Sequence, residues 1–168
     1  VEWSRANSIC YYARLGDAAN AYHCLKTLIT ELSRENLFTM SPKGIAGAPW
    51  DIFAVDGNTA GSAAVAEMLV QSHKGYVEFL PALPVEWNDG SFSGLCVRGG
   101  AEVAAKWKNG VLQRASLKAT VPNTFNIKLP NRDKDFSFYI NGAKQDLLPG
   151  NDNLITVTLQ QGDIFEMK

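Results

Sequence analysis

Trp50-Asp-Ile-Phe-Ala-Val-Asp56-Gly-Asn58-Thr-Ala-Gly-Ser-Ala-Ala-Val-Ala-Glu67-Met-Leu-Val-Gln-Ser-His73 decides how the rest of the chain is read. A carboxylate, Asp56, stands in a Gly/Asn-containing turn just before a segment made largely of small residues. The segment from Thr59 to about Ser72 reads as a helix bearing Ala60, Gly61, Ala63, Ala64 and Ala66, whose small side chains permit close approach of neighbouring helices. The first turn of a helix carries unpaired N–H groups and the positive end of the macrodipole. An acid held there stays ionised and is aimed by the backbone, so it is suited to act as a base or to orient one.

Upstream of this block the pattern is helical. Ser4 to Leu15 reads as a helix that Gly16 ends, and Asp17 caps the next one. Ala18, Ala21, Tyr22, Leu25, Leu28, Ile29 and Leu32 recur at helical spacing up to about Arg34. The tight Gly16-Asp17 link makes the two helices antiparallel. Leu37 to Val55, with Pro42, Gly44, Gly47 and Pro49, reads as a loop long enough to be functional.

Downstream the period changes at His73-Lys74-Gly75, where Gly75 is expected to close the third helix. Short β-prone runs follow at 76–80, 91–98, 101–108, 111–119, 124–129, 136–140, 154–159 and 163–167. Asn109-Gly110 and Asn141-Gly142 are signals for hairpin turns that need φ > 0 at both central positions. Such spacing of strands and turns predicts an antiparallel β-sandwich. The expected organisation is therefore α+β, with a helical region over 1–75 and a β domain over 76–168.

The composition is that of a globular domain: 168 residues, 46% hydrophobic and 20% charged, with net charge −1. With 16 basic residues against 17 acidic ones and no like-charge run, no nucleic-acid partner is expected. No apolar run approaches the ~20 residues of a membrane span, so no membrane partner is expected either. Cys10, Cys24 and Cys96 lack metal-ligand spacing and read as buried free thiols, and His23 and His73 are fifty residues apart. No metal or cofactor is expected. Three helices, one of them Ala-rich, bury too little area alone. Together with a start at Val1-Glu2-Trp3-Ser4, this leads us to expect a piece of a longer chain.

Several motifs resemble, in order, the C-terminal part of glycoside hydrolase family 95. They are Trp3-Ser4, Ala13-Arg14-Leu15-Gly16-Asp17 and Asn36-Leu37-Phe38, then Asp56-Gly57-Asn58 with Gly61, Ala63, Ala64 and Ala66-Glu67-Met68-Leu69. Gln71-Ser72-His73, Leu80-Pro81-Ala82-Leu83-Pro84, Trp87, Gly90, Gly94-Leu95, Arg98-Gly99-Gly100 and Trp107 continue the series, so that it covers most of the chain to about Lys118. That family contains α-L-fucosidases and related enzymes acting on α-L-galactosides. The resemblance implies that 1–75 supplies the last helices of an (α/α)6 catalytic barrel and 76–168 a C-terminal β-sandwich. It also implies an oligosaccharide or polysaccharide substrate, a missing N-terminal part of the same protein, and a secreted or periplasmic location.

The implied chemistry is an inverting hydrolysis. A glutamic acid protonates the leaving oxygen, and water is held by asparagine side chains that an aspartate polarises. Asp56 matches that aspartate, while the acid and the asparagines have no counterpart here. Inverting enzymes separate their two catalytic groups by about 6.5–9.5 Å to admit the water. The family's usual His stands six residues before the aspartate, where this chain has Trp50, and Thr59-Ala60 replaces its Phe-Gly. Trp50 could stack on a sugar face or fill space in the loop.

Asn58 is read as an N-cap or turn former, with a substrate contact as the second role. Glu67, about 15 Å from Asp56 by helical rise, is expected to be structural, as are Arg14 and Asp17. Trp87 and Trp107 are expected in the β core, and Arg98 is expected to bridge the β domain and the barrel. The isolated chain is expected to be inactive. The alternative reading is a non-catalytic carbohydrate-binding or structural β-sandwich module.

Overall fold

A computed structural model describes residues 1–130 and 135–168. It is a mixed α+β chain of two compact units, Val1–Leu69 with Pro81–Pro84, and Val70–Leu80 with Val85–Lys168. Among the described residues, no helix is long and apolar enough to cross a membrane.

The first unit is built from α1 (Glu2–Arg14), α2 (Ala18–Glu31) and α3 (Val55–Leu69). Gly16 ends the first helix at φ 74°, a left-handed conformation that costs glycine little. Asp17 then caps α2, its carboxylate accepting from Asn20 N at 3.0 Å. Helix α1 turns Ala6, Ile9 and Ala13 inward, while α3 buries Gly57, Gly61, Ala64 and Met68. Small residues are required on that face. A Cβ on Gly61 would lie 2.8 Å from Leu28 Cδ2 of α2. Arg14 on α1 grips Glu67 on α3 through two hydrogen bonds, at 3.2 and 3.1 Å. Both residues thus have the structural role expected of them.

The third helix differs from its sequence reading at both ends. It starts at Val55, four residues before Thr59, because the 37–54 segment supplies partners for the helix-poor Gly57-Asn58 pair. It stops at Leu69 rather than near Ser72, and Val70–Gln71 instead forms β3, paired with β4 (Val77–Phe79). Gly75, at φ 83°, therefore sits in the turn between these two strands and closes no helix. The 37–55 loop is also less irregular than expected: β1 (Met40–Ser41) pairs with β2 (Ile52–Phe53), with a 3-10 turn at Ile45–Gly47 between them.

The second unit has two sheets. One runs in the order β10 (Ala143–Gln145), β9 (Phe138–Ile140), β12 (Ile164–Met167), β7 (Val111–Ala119), β6 (Ala101–Lys108), β5 (Gly90–Val97). The other runs β11 (Leu154–Leu159), β8 (Asn123–Lys128), β4, β3. Strand β6 alternates as expected of a half-buried strand, with Ala101, Val103, Ala105 and Trp107 inward and Glu102, Lys106 and Lys108 outward. Residues of both sheets, among them Leu117, Phe125, Ile127, Ile155 and Phe165, form one apolar cluster. Asn109 and Gly110 take φ 52° and 68°, as the turn between β6 and β7 requires.

The second unit corrects the sequence reading in two places. The β domain was expected to be antiparallel, yet β4 pairs with β8 in parallel, Val77 opposite Ile127. That pairing joins segments fifty residues apart and leaves no local signature. Cys96 was expected to be buried; it is exposed on β5, whereas Cys24 is buried and Cys10 half-buried. Trp107 is buried, its indole N–H donating to Trp87 O at 2.7 Å, and Trp87 itself is half-buried.

Candidate active-site corner

The corner between β2 and α3 is fixed by polar side chains. Thr39 is its centre: Oγ1 donates to Ala54 O at 2.5 Å, and Ala54 N returns a bond to Thr39 O at 3.0 Å. Asn58 closes the other side, with Oδ1 3.0 Å from both Thr39 N and Thr39 Oγ1 and Nδ2 donating to Leu37 O at 2.8 Å. Asp51 staples the outer part of the loop, accepting from Lys43 N at 2.9 Å and pairing with Arg34. The Phe38 and Phe53 rings pack tilted at 39°, with centroids 5.0 Å apart. Beneath them, Ser41 Oγ donates to the buried Glu2 carboxylate at 2.8 Å.

This frame sets Asp56. The residue is the second of α3, inside the first turn rather than in a turn before it, where the N-terminal N–H groups favour a negative charge. Its side chain is exposed, and among the described residues its carboxylate has no hydrogen-bond or ion-pair partner. The other acids of the unit near these elements, Asp51 and Glu67, are engaged by Arg34 and Arg14. Asp56 thus presents an exposed carboxylate that can accept hydrogen bonds from a donor group.

Asn58 is not an N-cap. It is the fourth residue of α3, and its amide holds Thr39 N and Leu37 O of the backbone and the Thr39 hydroxyl. Trp50 is 70% exposed at the loop end that leads into β2. A cavity of about 210 Å³ opens beside Asn58, lined by Leu28, Leu37, Thr39, Gly61 and Val65, but neither Asp56 nor Trp50 lines it. Among the described residues, no group of three His, Cys, Asp or Glu side chains is placed to hold a metal ion.

Thr39 and Asp51 escaped the sequence reading. Asp51, an acid beside Trp50 in a Pro- and Gly-bracketed loop, carried a weak signal as a loop staple. Thr39 carried none. The close fit of Gly57, whose Cβ would stand 2.6 Å from Thr39 Oγ1, emerges only in three dimensions.

Comparison with known proteins places both parts of the chain. Residues 1–69 match the glycosyl hydrolase family 95 catalytic domain, and residues 71–167 the glycoside hydrolase family 95, C-terminal domain. Alpha-L-fucosidase 2 of Arabidopsis thaliana is 35% identical over 122 residues, covering 66% of this chain and 13% of that protein. The chain therefore spans a small part of that relative's length.

Among solved structures, a GH127 β-L-arabinofuranosidase from Geobacillus stearothermophilus T6 is similar at TM-score 0.39 and 13% identity, over 95% of this chain and 30% of that one. A family 39 glycoside hydrolase from Bacteroides cellulosilyticus WH2 is similar at TM-score 0.37 and 16% identity, over 52% and 18%. Both scores are too low to argue from shape. Sequence matches to two successive domains of one family, covering nearly every residue, are sufficient by themselves: the chain belongs to glycoside hydrolase family 95.

Proposed function

We propose that this chain is the C-terminal part of an inverting exo-glycosidase that releases terminal α-L-fucosyl or α-L-galactosyl residues from glycans. Residues 1–69 contribute the last helices of an (α/α)6 catalytic barrel, and 70–168 form its C-terminal β-sandwich. The observation that carries the reading is the exposed, unpartnered Asp56 carboxylate in the first turn of α3, within the stretch matched to the catalytic domain.

Asp56 polarises asparagine side chains supplied by the N-terminal part of the same protein. A carboxylate accepting from an amide N–H raises electron density on the amide oxygen, which then takes a proton from the attacking water. A glutamic acid from that same part protonates the leaving oxygen. Asn58 supports the reaction by fixing the 37–39 backbone beside Asp56, and its remaining amide N–H is available to a sugar hydroxyl. Trp50, where the family has a histidine, offers a ring face to the sugar. It changes how the substrate is recognised, without bearing on the proton chemistry.

The stereochemical course tests this directly. Proton NMR of the complete protein acting on an aryl α-L-fucoside or α-L-galactoside is expected to show the β-sugar as first product. First release of the α-sugar would exclude inversion. The 168-residue chain alone is expected to give no turnover, since one carboxylate cannot serve as both acid and base.

A further inference from the structure

The second unit contains a polar bowl whose lining is one-sided in charge. Its volume is about 310 Å³, and Ser72, Tyr76, Arg98, Gly99, Asn123 and Asn126 contribute to its wall. That volume is at the lower end of the 300–1,000 Å³ common for small-molecule sites, enough for about one or two sugar rings. No aspartate or glutamate lines it.

The backbone of the bowl is held on three sides. Ser72 Oγ accepts from Arg98 N at 3.0 Å, Asn123 Nδ2 donates to Gly99 O at 2.9 Å, and Asn126 Nδ2 donates to Gly75 O at 3.4 Å. Gly99 sits at φ 93°, a conformation strained for any residue with a side chain, and a Cβ there would lie 2.8 Å from Asn123 Nδ2 and 3.2 Å from Phe125. This frame fixes where Arg98 leaves the chain. The Arg98 side chain is exposed, and its guanidinium has no hydrogen-bond or ion-pair partner among the described residues. A fixed anchor, an unpaired fork of donors and a wall free of acids together select for an anion. Ser72 Oγ still has its proton to donate, and Asn126 a second amide hydrogen, so the remaining wall suits hydroxyl groups.

We propose that this bowl is a binding site for an acidic saccharide, with Arg98 taking the carboxylate of a uronate and the amide and hydroxyl side chains taking ring hydroxyls. Guanidinium and carboxylate match as a two-point pair, which a neutral sugar cannot form. The competing occupant of Arg98 is a carboxylate elsewhere in the same protein, which would make the residue a structural bridge.

The test is titration of the complete protein with trigalacturonate and, separately, with the neutral trisaccharide cellotriose, at low and high salt. The expected result is saturable binding of trigalacturonate at least about tenfold tighter than cellotriose. Arg98→Gln should lose about tenfold or more of that affinity, with unchanged turnover of the aryl glycoside, and Tyr76→Ala should weaken it severalfold. The Tyr76 variant tests the site even if the Arg98 variant does not fold. Equal binding of the two trisaccharides, or no binding, overturns the proposal. So does an Arg98→Gln protein with lower Tm and full affinity, which would assign the guanidinium to an internal bridge.

Discussion

The two units differ in how many large side chains they bury. In the helical unit the inward face of α1 is Ala6, Ile9 and Ala13, and the large side chains Trp3, Tyr11 and Leu15 are 53%, 66% and 79% exposed. In the β unit the large residues are inside: Phe165, Leu117, Ile127 and Ile155 are all at most 1% exposed, with lysines and glutamates on the outer face of β6. Burial of apolar area drives folding at about 25 cal/mol per Å². The helical unit buries a few large side chains, Ile9, Leu25, Leu28 and Met68, among mostly small ones, and so gains less of that term. The β unit has the buried core of a self-sufficient domain, while the helical unit leaves several large apolar side chains on its surface, as the proposed barrel would require. The unpartnered Asp56 carboxylate belongs to the second kind of surface.

The comparison is broken most readily from within the β core. Phe165→Ala removes a ring stacked on Phe138 at 6.0 Å between centroids. It should cost about 3–5 kcal/mol by chemical denaturation, as buried aromatic truncations do. A loss below 1 kcal/mol would mean that the two sheets do not share a tight core.

Next in size is Gly57→Ala, whose added methyl would strike Thr39 in the helical unit. The expected cost is about 1–3 kcal/mol from overpacking. It should be accompanied by disturbed amide signals at Thr39 and Leu37, since Asn58 and Thr39 share one network. No disturbance there would dissolve the fixed corner described above.

Leu15→Ala sharpens the contrast. In the 168-residue chain an exposed leucine should matter by no more than about 0.5 kcal/mol. In the complete protein the same change should cost several times more if the proposed barrel's other helices cover it. Equal small effects in both would contradict a covered helical face.

The smallest effect is electrostatic. Glu166 is held below the usual carboxylate range, first by its hydrogen bond from Arg114, while slight burial opposes the shift and the charges of Arg114 and Lys168 add to it. A carboxylate whose folded pKa is depressed stabilises the fold above its unfolded value, about 4.3. That contribution is lost as pH falls through the folded pKa. Stability of the β unit should therefore decline slightly on acidification below about pH 4.3, and less so in Glu166→Gln. An identical acid profile for both proteins would remove Glu166 as a contributor.

These contrasts also show which features were legible in the sequence. Strands β6, β7 and β11 were readable to the residue, because alternation and the Asn109-Gly110 turn are local signals. The cap at Asp17 was readable for the same reason, whereas Glu67 was read only as structural and its partner Arg14, 53 residues away, needed coordinates. The start of α3 was not, since Gly57-Asn58 is poor helix-forming sequence until Thr39 packs against one residue and bonds the other. Strand β3, the short hairpin strand β10 and the parallel β4–β8 pair were missed because too few residues carry their pattern. Asp56 was singled out as a candidate through its motif, but its freedom from partners among the described residues required coordinates. The Arg98 bowl was invisible, being assembled from 72–77, 98–99 and 123–126 by that same parallel pair.

The proposed role of Asp56 is to activate water through asparagine amides supplied by the N-terminal part of the protein. The decisive measurement is kcat of Asp56→Asn in the complete protein, taken with its Tm on an aryl α-L-fucoside or α-L-galactoside. A loss of about 10²–10⁴-fold, the usual contribution of a positioned proton-transfer group, with Tm little changed, is the expected result. An unchanged kcat in a folded variant would contradict it.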